Sequence, residues 1–288
     1  MQPDSASHRL AVLGAGVMGS SITAMALGHG VPVVLVDIDD GALDRARASI
    51  AQQVRHAQLM GAAPADRPTG ELVTSQRIED IADATAVVEA ITEKPDLKSD
   101  VHAKIGAAVR RGTPVISNTS GIPIDEMASA LPCPEDLIGT HFMNPAYLIR
   151  TVEVIVGPRT AERTVAALMS LLSALDRQPI VVNDSPGFVT SRLLHPMIND
   201  AARLVDEGVA TAADVDALML GCLGHATGPL RTADMIGLDN LVDALDVLHE
   251  RTGNPTHEPC ALLRRKVAQG DHGIKTGRGF HEYERQPE

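Results

Sequence analysis

Two groups of residues in this sequence have types and spacings that can do chemistry. The first begins where Leu10-Ala11-Val12-Leu13 runs straight into Gly14-Ala15-Gly16-Val17-Met18-Gly19, a G-x-G-x-x-G pattern. It follows an apolar run, opens a helix-like stretch (SSITAMALGHG) and precedes a second apolar run ending at Asp37, 18 residues beyond Gly19. That context is what a dinucleotide fingerprint requires. Gly14 permits the tight turn, Gly16 lets backbone approach a pyrophosphate, and Gly19 lets helix and strand pack closely. The helix N-terminus, with Val17 and Met18 in its first turn, offers free N–H groups and a positive dipole end to phosphates. Asp37 can accept both adenosine ribose hydroxyls and would repel a 2′-phosphate. No Arg follows it at once (Ile38, Asp39, Asp40), so NAD is expected over NADP. The alternative is a plain tight turn with Asp37 as a solvated strand end. A flavin could use the same fingerprint, but the helical second half and the residues below favour a nicotinamide.

The second group is His141, closing the run DLIGTHF, and Glu153, interrupting TVEVIV. A carboxylate flanked by valines in a strand is costly to bury unless something pairs with it. Imidazole suits, because its proton moves near neutral pH and a carboxylate fixes its tautomer. The other reading is a buried strand-end histidine and a glutamate that points to solvent.

Positioning these groups needs a scaffold. Short apolar runs at 10–13, 31–36, 86–91, 113–117, 136–142, 151–156 and 178–182 alternate with amphipathic stretches at 40–60, 95–109 and 161–175. Such alternation predicts an α/β fold, a Rossmann-type doubly wound and mostly parallel sheet. The close spacing of the last runs points to an antiparallel pair there. The segment 61–70 reads as a loop or small connector. Asp184-Ser185-Pro186-Gly187 then punctuates the chain, and Pro186 can open a helix at its first turn. Beyond it the apolar spacing is helical from Phe188 to Val205, closed by Gly208, with further helices at 212–220, 238–251 and 259–269. The expected division is an NAD-binding domain over 1–185 and an all-helical substrate-binding and dimerisation domain over 186–288.

Composition excludes several classes. Hydrophobic residues make up 44% of the 288, enough for a core, but aromatics only 2% with no Trp, so Leu, Val, Ile, Met and Ala must fill it. A net charge of −12 and the lack of a basic stretch argue against a nucleic-acid surface. Cys133, Cys222 and Cys260 are scattered and odd in number, which argues against a disulfide framework or a metal site and fits a reducing cytoplasm. The opening MQPDSASHRL has no signal-type apolar run, and no stretch approaches membrane-spanning length.

Several motifs in order carry a resemblance. His141-Phe142-Met143-Asn144-Pro145 with Val152-Glu153-Val154-Ile155 resembles the H-F-x-N-P … V-E-V-I signature of the 3-hydroxyacyl-CoA dehydrogenase family. GAGVMGSSI, EAITEKPDLK, SNTSG (117–121), DSPGFV, PMINDA, GPL, MIGLD and KTGRGF extend the match over nearly the whole chain. The resemblance implies an NAD-dependent oxidoreductase interconverting a short 3-hydroxyacyl thioester and its 3-oxoacyl form. It makes His141 the acid–base residue, Glu153 its orienting carboxylate, and Ser120 a hydroxyl that contacts substrate and cofactor. Glu93, Lys98, Asn118, Asn144 and Lys275 match positions that touch NAD. It also implies a homodimer through the helical domain, with broad apolar faces at 187–207 and 238–251. His225 reads as a structural helix-end histidine.

The departures from the family concern the grip on substrate. The family's PGF-x-x-N-R reads Pro186-Gly187-Phe188-Val189-Thr190-Ser191-Arg192, so Ser191 stands where an asparagine faces the reacting carbonyl, with shorter reach. Gly121 replaces a serine. Residues 52–63 carry only Arg55 and His56, where relatives that grip coenzyme A are lysine-rich. Tyr147-Leu148-Ile149-Arg150 replaces V-P-V-M-K and is similar to relatives acting on small hydroxy acids. The handle could therefore be coenzyme A, a carrier protein, or a free carboxylate read by Arg150. A different class, an NAD-binding redox sensor without turnover, would need neither His141 nor Glu153.

Overall fold

In the computed structural model, which describes residues 7–284, the short apolar runs become strands. β1 (Leu10–Leu13) pairs in parallel with β2 (Val33–Val36) on one side and β4 (Ala86–Glu89) on the other. Beyond β2 lies β3 (Leu72–Ser75); beyond β4 lie β5 (Val115–Ser117), β6 (Leu137–His141), β7 (Thr151–Val156) and β8 (Gln178–Asn183). The single eight-stranded sheet has the order β3-β2-β1-β4-β5-β6-β7-β8. β1, β4, β5 and β6 are buried along their whole length, which is why they read as unbroken apolar runs rather than alternating ones. The antiparallel step falls between β6 and β7, and β8 runs parallel to β7.

Helices α1 (Val17–Gly28), α2 (Asp40–Leu59), α3 (Pro95–Ala108) and α5 (Glu162–Ala174) join successive strands, with a short α4 (Ile124–Ala128) after β5. The core is aliphatic, as the composition requires: Leu10, Val12, Ile22, Met25, Leu35, Ile50, Val88, Ile116, Ile138 and Leu168 are packed together, joined by Phe142. Strand order reverses direction at β1, whose neighbours β2 and β4 lead to opposite edges of the sheet. A crevice at the carboxyl ends of β1 and β4 follows from that reversal, and there this class of fold takes ligands.

The chain divides between Ser185 and Pro186 into two units. The second is helical: α6 (Thr190–Asp206), α7 (Ala212–Leu223), α8 (Pro229–Ile236), α9 (Leu238–Thr252) and α10 (Ala261–Ala268), around Ile198, Ala202, Leu230, Leu238, Leu241, Leu245 and Leu263. Two buried carboxylates tie it together. Asp216 accepts from the amides of Leu230 and Arg231 at 2.8 and 3.0 Å, capping α8, and from His281 at 2.7 Å. Asp234 accepts from the amides of Phe280 and His281 and from the Tyr283 hydroxyl, fastening the KTGRGF segment.

Four features differ from the sequence expectation. β3 and α8 were not anticipated: β3 is a partly exposed edge strand of mixed polarity, LVTS, and α8 is only eight residues long. Pro186 does not open a helix. Gly187 and Phe188 both take positive φ (70° and 50°), so the chain turns there and α6 begins at Thr190. The apolar face of α9 is spent inside its own unit, where Leu238, Leu241, Val242, Leu245 and Leu248 are buried.

Candidate active site

The glycine loop leaves β1 at the point of strand reversal. Gly14 has φ +100°, and a Cβ there would stand 2.5 Å from the Ala90 carbonyl oxygen. At Gly19 a Cβ would lie 1.7 Å from the Gly14 oxygen, so helix and turn could not close. Gly16 is different, since a Cβ on it would meet nothing within 4 Å. The first two glycines are needed by the protein's own packing, whereas Gly16 keeps open the space in front of the α1 N-terminus. The leading amides of α1, on Val17 and Met18, have no intrahelical acceptor by geometry.

Asp37 ends the second strand's run and reaches back to this loop. Its Oδ2 accepts from the Ala15 amide at 2.7 Å and its Oδ1 from the Asp39 amide at 2.9 Å. Each oxygen keeps a lone pair for a ribose hydroxyl, and the carboxylate is fixed beside the glycine turn. Asp39 caps α2 by accepting from Gly41, so the next side chain adds negative charge rather than a phosphate partner. The donors and the acceptor present thus fit a dinucleotide lacking a 2′-phosphate.

His141 is the last residue of β6, and Glu153 is its register partner on antiparallel β7. Side chains opposite each other on neighbouring strands share a face and are close enough to bond. Here His141 Nδ1 lies 2.9 Å from Glu153 Oε2, with both residues buried at 9% and 6% exposure. An Nδ1–H that donates to the carboxylate fixes the tautomer whose Nε2 carries the basic lone pair. The solvated-glutamate reading is excluded by that burial.

Alongside, the carboxyl ends of β4 and β5 carry a buried charge cluster. Glu89 closes β4 with 0% exposure, and Lys98 on α3 has 1%. Glu89 Oε1 accepts from Lys98 Nζ at 2.8 Å and from the Ile91 amide at 3.0 Å; Oε2 accepts from the Ser117 hydroxyl at 2.8 Å. His102 Nε2 stands 3.2 Å from the same Oε2, in ion-pair range but off the line of a hydrogen bond. Burial alone would push the Glu89 carboxyl up. The His102 imidazole and the Lys98 ammonium outweigh it and hold the group well below the usual carboxylate range. Lys98 also reaches Glu93 Oε2 at 2.9 Å. Glu93 Oε1 accepts from the Ser120 amide at 2.9 Å and from the Thr119 hydroxyl, with the Ser120 hydroxyl at 3.4 Å. Asn118 accepts from the Phe142 amide at 3.1 Å, joining this cluster to the residue after His141.

The structure therefore gathers Glu93, Lys98, Asn118 and Ser120 into one network and His141 with Glu153 into a pair. Lys98 lies in the interior, held between two carboxylates. Asn144 is exposed in the β6–β7 connection. Ser191 is buried on the first turn of α6, and Lys275 is bound to Asp239 at 2.5 Å; both belong to the second unit. Arg150 is committed within the first unit, its guanidinium bonded to the carboxylate and carbonyl of Asp176, which weakens its case as a reader of a free acid. His225 follows the αL cap Gly224 at the end of α7 and donates its amide to Met219, a structural place. Glu89 escaped the sequence reading although its signal matched that of Glu153, a carboxylate inside the apolar run AVVEAI.

Comparison with known proteins gives concordant matches over both units. Residues 9–185 match the family model for the 3-hydroxyacyl-CoA dehydrogenase NAD binding domain, and 187–283 match that for the C-terminal domain. A protein of Deinococcus radiodurans named "Probable 3-hydroxybutyryl-CoA dehydrogenase" is 38% identical over 278 residues, covering 96% of this chain and all of that one. Among solved structures, Mycobacterium tuberculosis FadB2 is similar with a TM-score of 0.90 at 34% identity, covering 96% of this chain and 99% of that one. (S)-3-hydroxybutyryl-CoA dehydrogenase PaaH1 from Ralstonia eutropha gives 0.86 at 35% identity, with the same coverage.

Replacing Asp37 by Ala should weaken NADH binding roughly tenfold or more, as expected for loss of a charged hydrogen-bond acceptor. It should affect NADPH far less. Fluorescence titration of both cofactors checks this, and equal affinity of the unaltered protein for NADPH would contradict the role given to Asp37.

Proposed function

The chain belongs to the 3-hydroxyacyl-CoA dehydrogenase family, and from that membership we propose how its site carries out the NAD-dependent interconversion of a 3-hydroxyacyl-CoA and its 3-oxoacyl-CoA. The observation that carries the reading is the buried His141–Glu153 pair, 2.9 Å apart, at the carboxyl edge of the sheet. When bound, NAD accepts the hydride that leaves C3 of the substrate. His141 Nε2 takes the proton of the 3-hydroxyl, so that the carbonyl forms without an alkoxide standing alone. Glu153 holds the ring and offsets the positive charge that the imidazole acquires. In the reverse direction the imidazolium returns the proton to the carbonyl oxygen. Ser120 offers a hydroxyl donor to that oxygen. Asp37, with the amides of Val17 and Met18, holds the adenosine and pyrophosphate, and Gly14, Gly16 and Gly19 shape their bed. Glu93, Asn118 and Asn144 complete the cofactor contacts of the first unit.

A short acyl chain, of the four-carbon kind in the relatives' names, is the substrate we assign. We assign the protein to the cytoplasm, a reading supported by Cys133, Cys222 and Cys260 being free thiols. Among the described residues no helix is long and apolar enough to cross a membrane.

His141→Ala is expected to lose ~10²–10⁴-fold in kcat with acetoacetyl-CoA while still binding NADH, the usual contribution of a positioned proton-transfer group. Glu153→Gln should also lower kcat, by less. Following NADH consumption in both variants tests the reading, and near-normal turnover in both would return the pair to a structural role.

The grip on coenzyme A is expected to be light. The tip of α2 offers Arg55 and His56 alone, and His56 is edge-on to Tyr147 with ring centroids 5.8 Å apart. Phosphates are ordinarily met by Lys or Arg clusters. An acetoacetyl group on a pantetheine stub should then be reduced nearly as well as acetoacetyl-CoA, with any loss in KM rather than kcat. A fall of roughly a hundredfold in kcat/KM, about 2.7 kcal/mol, would show that the nucleotide is held elsewhere. It would also remove support for a carrier-protein substrate.

A homodimer through the helical unit is supported by exposed leucines on α6 and α7: Leu193 at 70%, Leu218 at 58% and Leu223 at 67%. An acidic chain meets its own copy more readily through an apolar patch than a charged one. Light scattering should give twice the chain mass, and Leu193→Asp should lower it; a monomer in the unaltered protein would refute the assignment.

A further inference from the structure

Glu93 sits on a bend between β4 and α3, with a side chain 39% exposed. No helix or strand fixes its rotamer, so the groups that bond its two oxygens decide where it points. One oxygen is taken by the Ser120 amide and the Thr119 hydroxyl, the other by Lys98 Nζ at 2.9 Å. Lys98 is itself in the interior, where an ammonium remains only if its charge is met. Glu89 meets it at 2.8 Å. Glu89 in turn is locked by the Ile91 amide and the Ser117 hydroxyl, with His102 at 3.2 Å on its far oxygen.

We propose that Glu89 is a positioning residue for the nucleotide: acting through Lys98, it fixes the carboxylate of Glu93 against Ser120 in the orientation that meets the cofactor. This rests on the reading above that Glu93 touches NAD. Glu89 itself contacts neither solvent nor any reacting group. Lys98 acts in the same relay, turned toward two carboxylates rather than outward. Burial works against the Lys98 ammonium, but Glu89 and Glu93 outweigh it and hold its pKa above the ordinary lysine value, so the relay stays charged. The arrangement explains why the chain keeps a carboxylate on β4 and an ammonium and an imidazole on α3 buried against one another beneath the site. Groups joined in one network give non-additive effects on substitution, and that is the relay's measurable mark.

The test measures NADH binding by fluorescence titration, steady-state KM and kcat, and thermal unfolding of the cofactor-free protein. Glu93→Gln should weaken NADH binding roughly tenfold. Glu89→Gln should weaken it comparably, raising KM for NADH more than it lowers kcat, and Glu89→Gln with Glu93→Gln should be no worse than Glu93→Gln alone. The double variant Glu89→Gln/Lys98→Met removes both buried charges together, so no unpaired charge is left to unfold the protein. It should melt near the unaltered protein and still bind NADH weakly. Wild-type NADH affinity in that double variant, with Glu93→Gln impaired, would overturn the relay and leave Glu89 and Lys98 merely structural. Wild-type affinity in Glu93→Gln itself would instead overturn the role of Glu93 at the cofactor. If the double variant does not fold, Ser117→Ala decides. It leaves every charge in place but removes the hydroxyl donor from Glu89 Oε2, leaving only the His102 ring beside it, and KM for NADH should rise about threefold at constant kcat. An unchanged KM there overturns the proposal.

Discussion

A carboxylate drawn into the interior of a sheet must be met by donors or by positive charge, or it does not stay ionised. Two strands of this sheet each carry such a group, Glu153 on β7 and Glu89 on β4, and much of the surrounding architecture answers that requirement. Glu153 is satisfied by His141 only because β7 reverses direction after β6, bringing the third residue of one strand opposite the last residue of the other. In a continued parallel sheet His141 would face a residue from a different part of the chain, and the pair would not exist. Glu89 is satisfied by α3, which carries Lys98 and His102 one helical turn apart, and by Ser117 at the end of β5. Both solutions lie at the carboxyl edge, the edge from which the glycine loop also departs.

The second constraint is charge. A chain of net charge −12 has to hold an anionic dinucleotide, and global electrostatics work against it. The answer is local. Backbone N–H groups at the start of α1 supply positive partial charge without adding a cation, and Gly16 lets the ligand come close. On the reading proposed above, Asp37 adds a negative charge at the ribose, where hydroxyls and not phosphates are to be met. On that reading the field near the loop changes sign over a few residues, which would discriminate between two cofactors that differ by one phosphate.

Much of this was legible in the sequence, for physical reasons that can be stated residue by residue. Strands buried on both faces write themselves as apolar runs, so β1, β2 and β4 to β7 could be read off; β8 is an exposed edge strand, legible only because Ile180, Val181 and Val182 happen to form an apolar run. β3 could not, because an edge strand with Val73 46% exposed needs no apolar pattern. The glycine loop was legible because Gly14 and Gly19 are forced by backbone contacts. The partnership of His141 with Glu153 was legible as a cost needing a partner, although the register that pays it is a property of the sheet. The interior place of Lys98 was not legible, since a lysine in an amphipathic helix looks the same on either face. The tie between Arg150 and Asp176 was not legible for a similar reason: a free guanidinium and one tied to a carboxylate are written with the same letter. The turn at Pro186 was misread because nothing in the letters foretells a positive φ at Phe188.

The distribution of roles between the two units has a further consequence. On the reading proposed here, the group that moves the proton, the carboxylate that orients it and the loop that holds the nucleotide all belong to the first unit. Their positions are fixed by strand register and by backbone contacts that tolerate little change. Ser191 and Lys275 belong to the second unit, and Arg55 and His56 to the exposed tip of α2. These places lie outside the sheet ladder, so a shorter side chain or a missing lysine alters what is held without disturbing what is done to it. That separation accounts for the pattern in this chain, where the departures from the family motifs fall on Ser191, Gly121, Tyr147 to Arg150 and residues 52–63, while the chemistry-bearing pair is kept. A serine in place of an asparagine offers one hydroxyl donor with shorter reach instead of an amide.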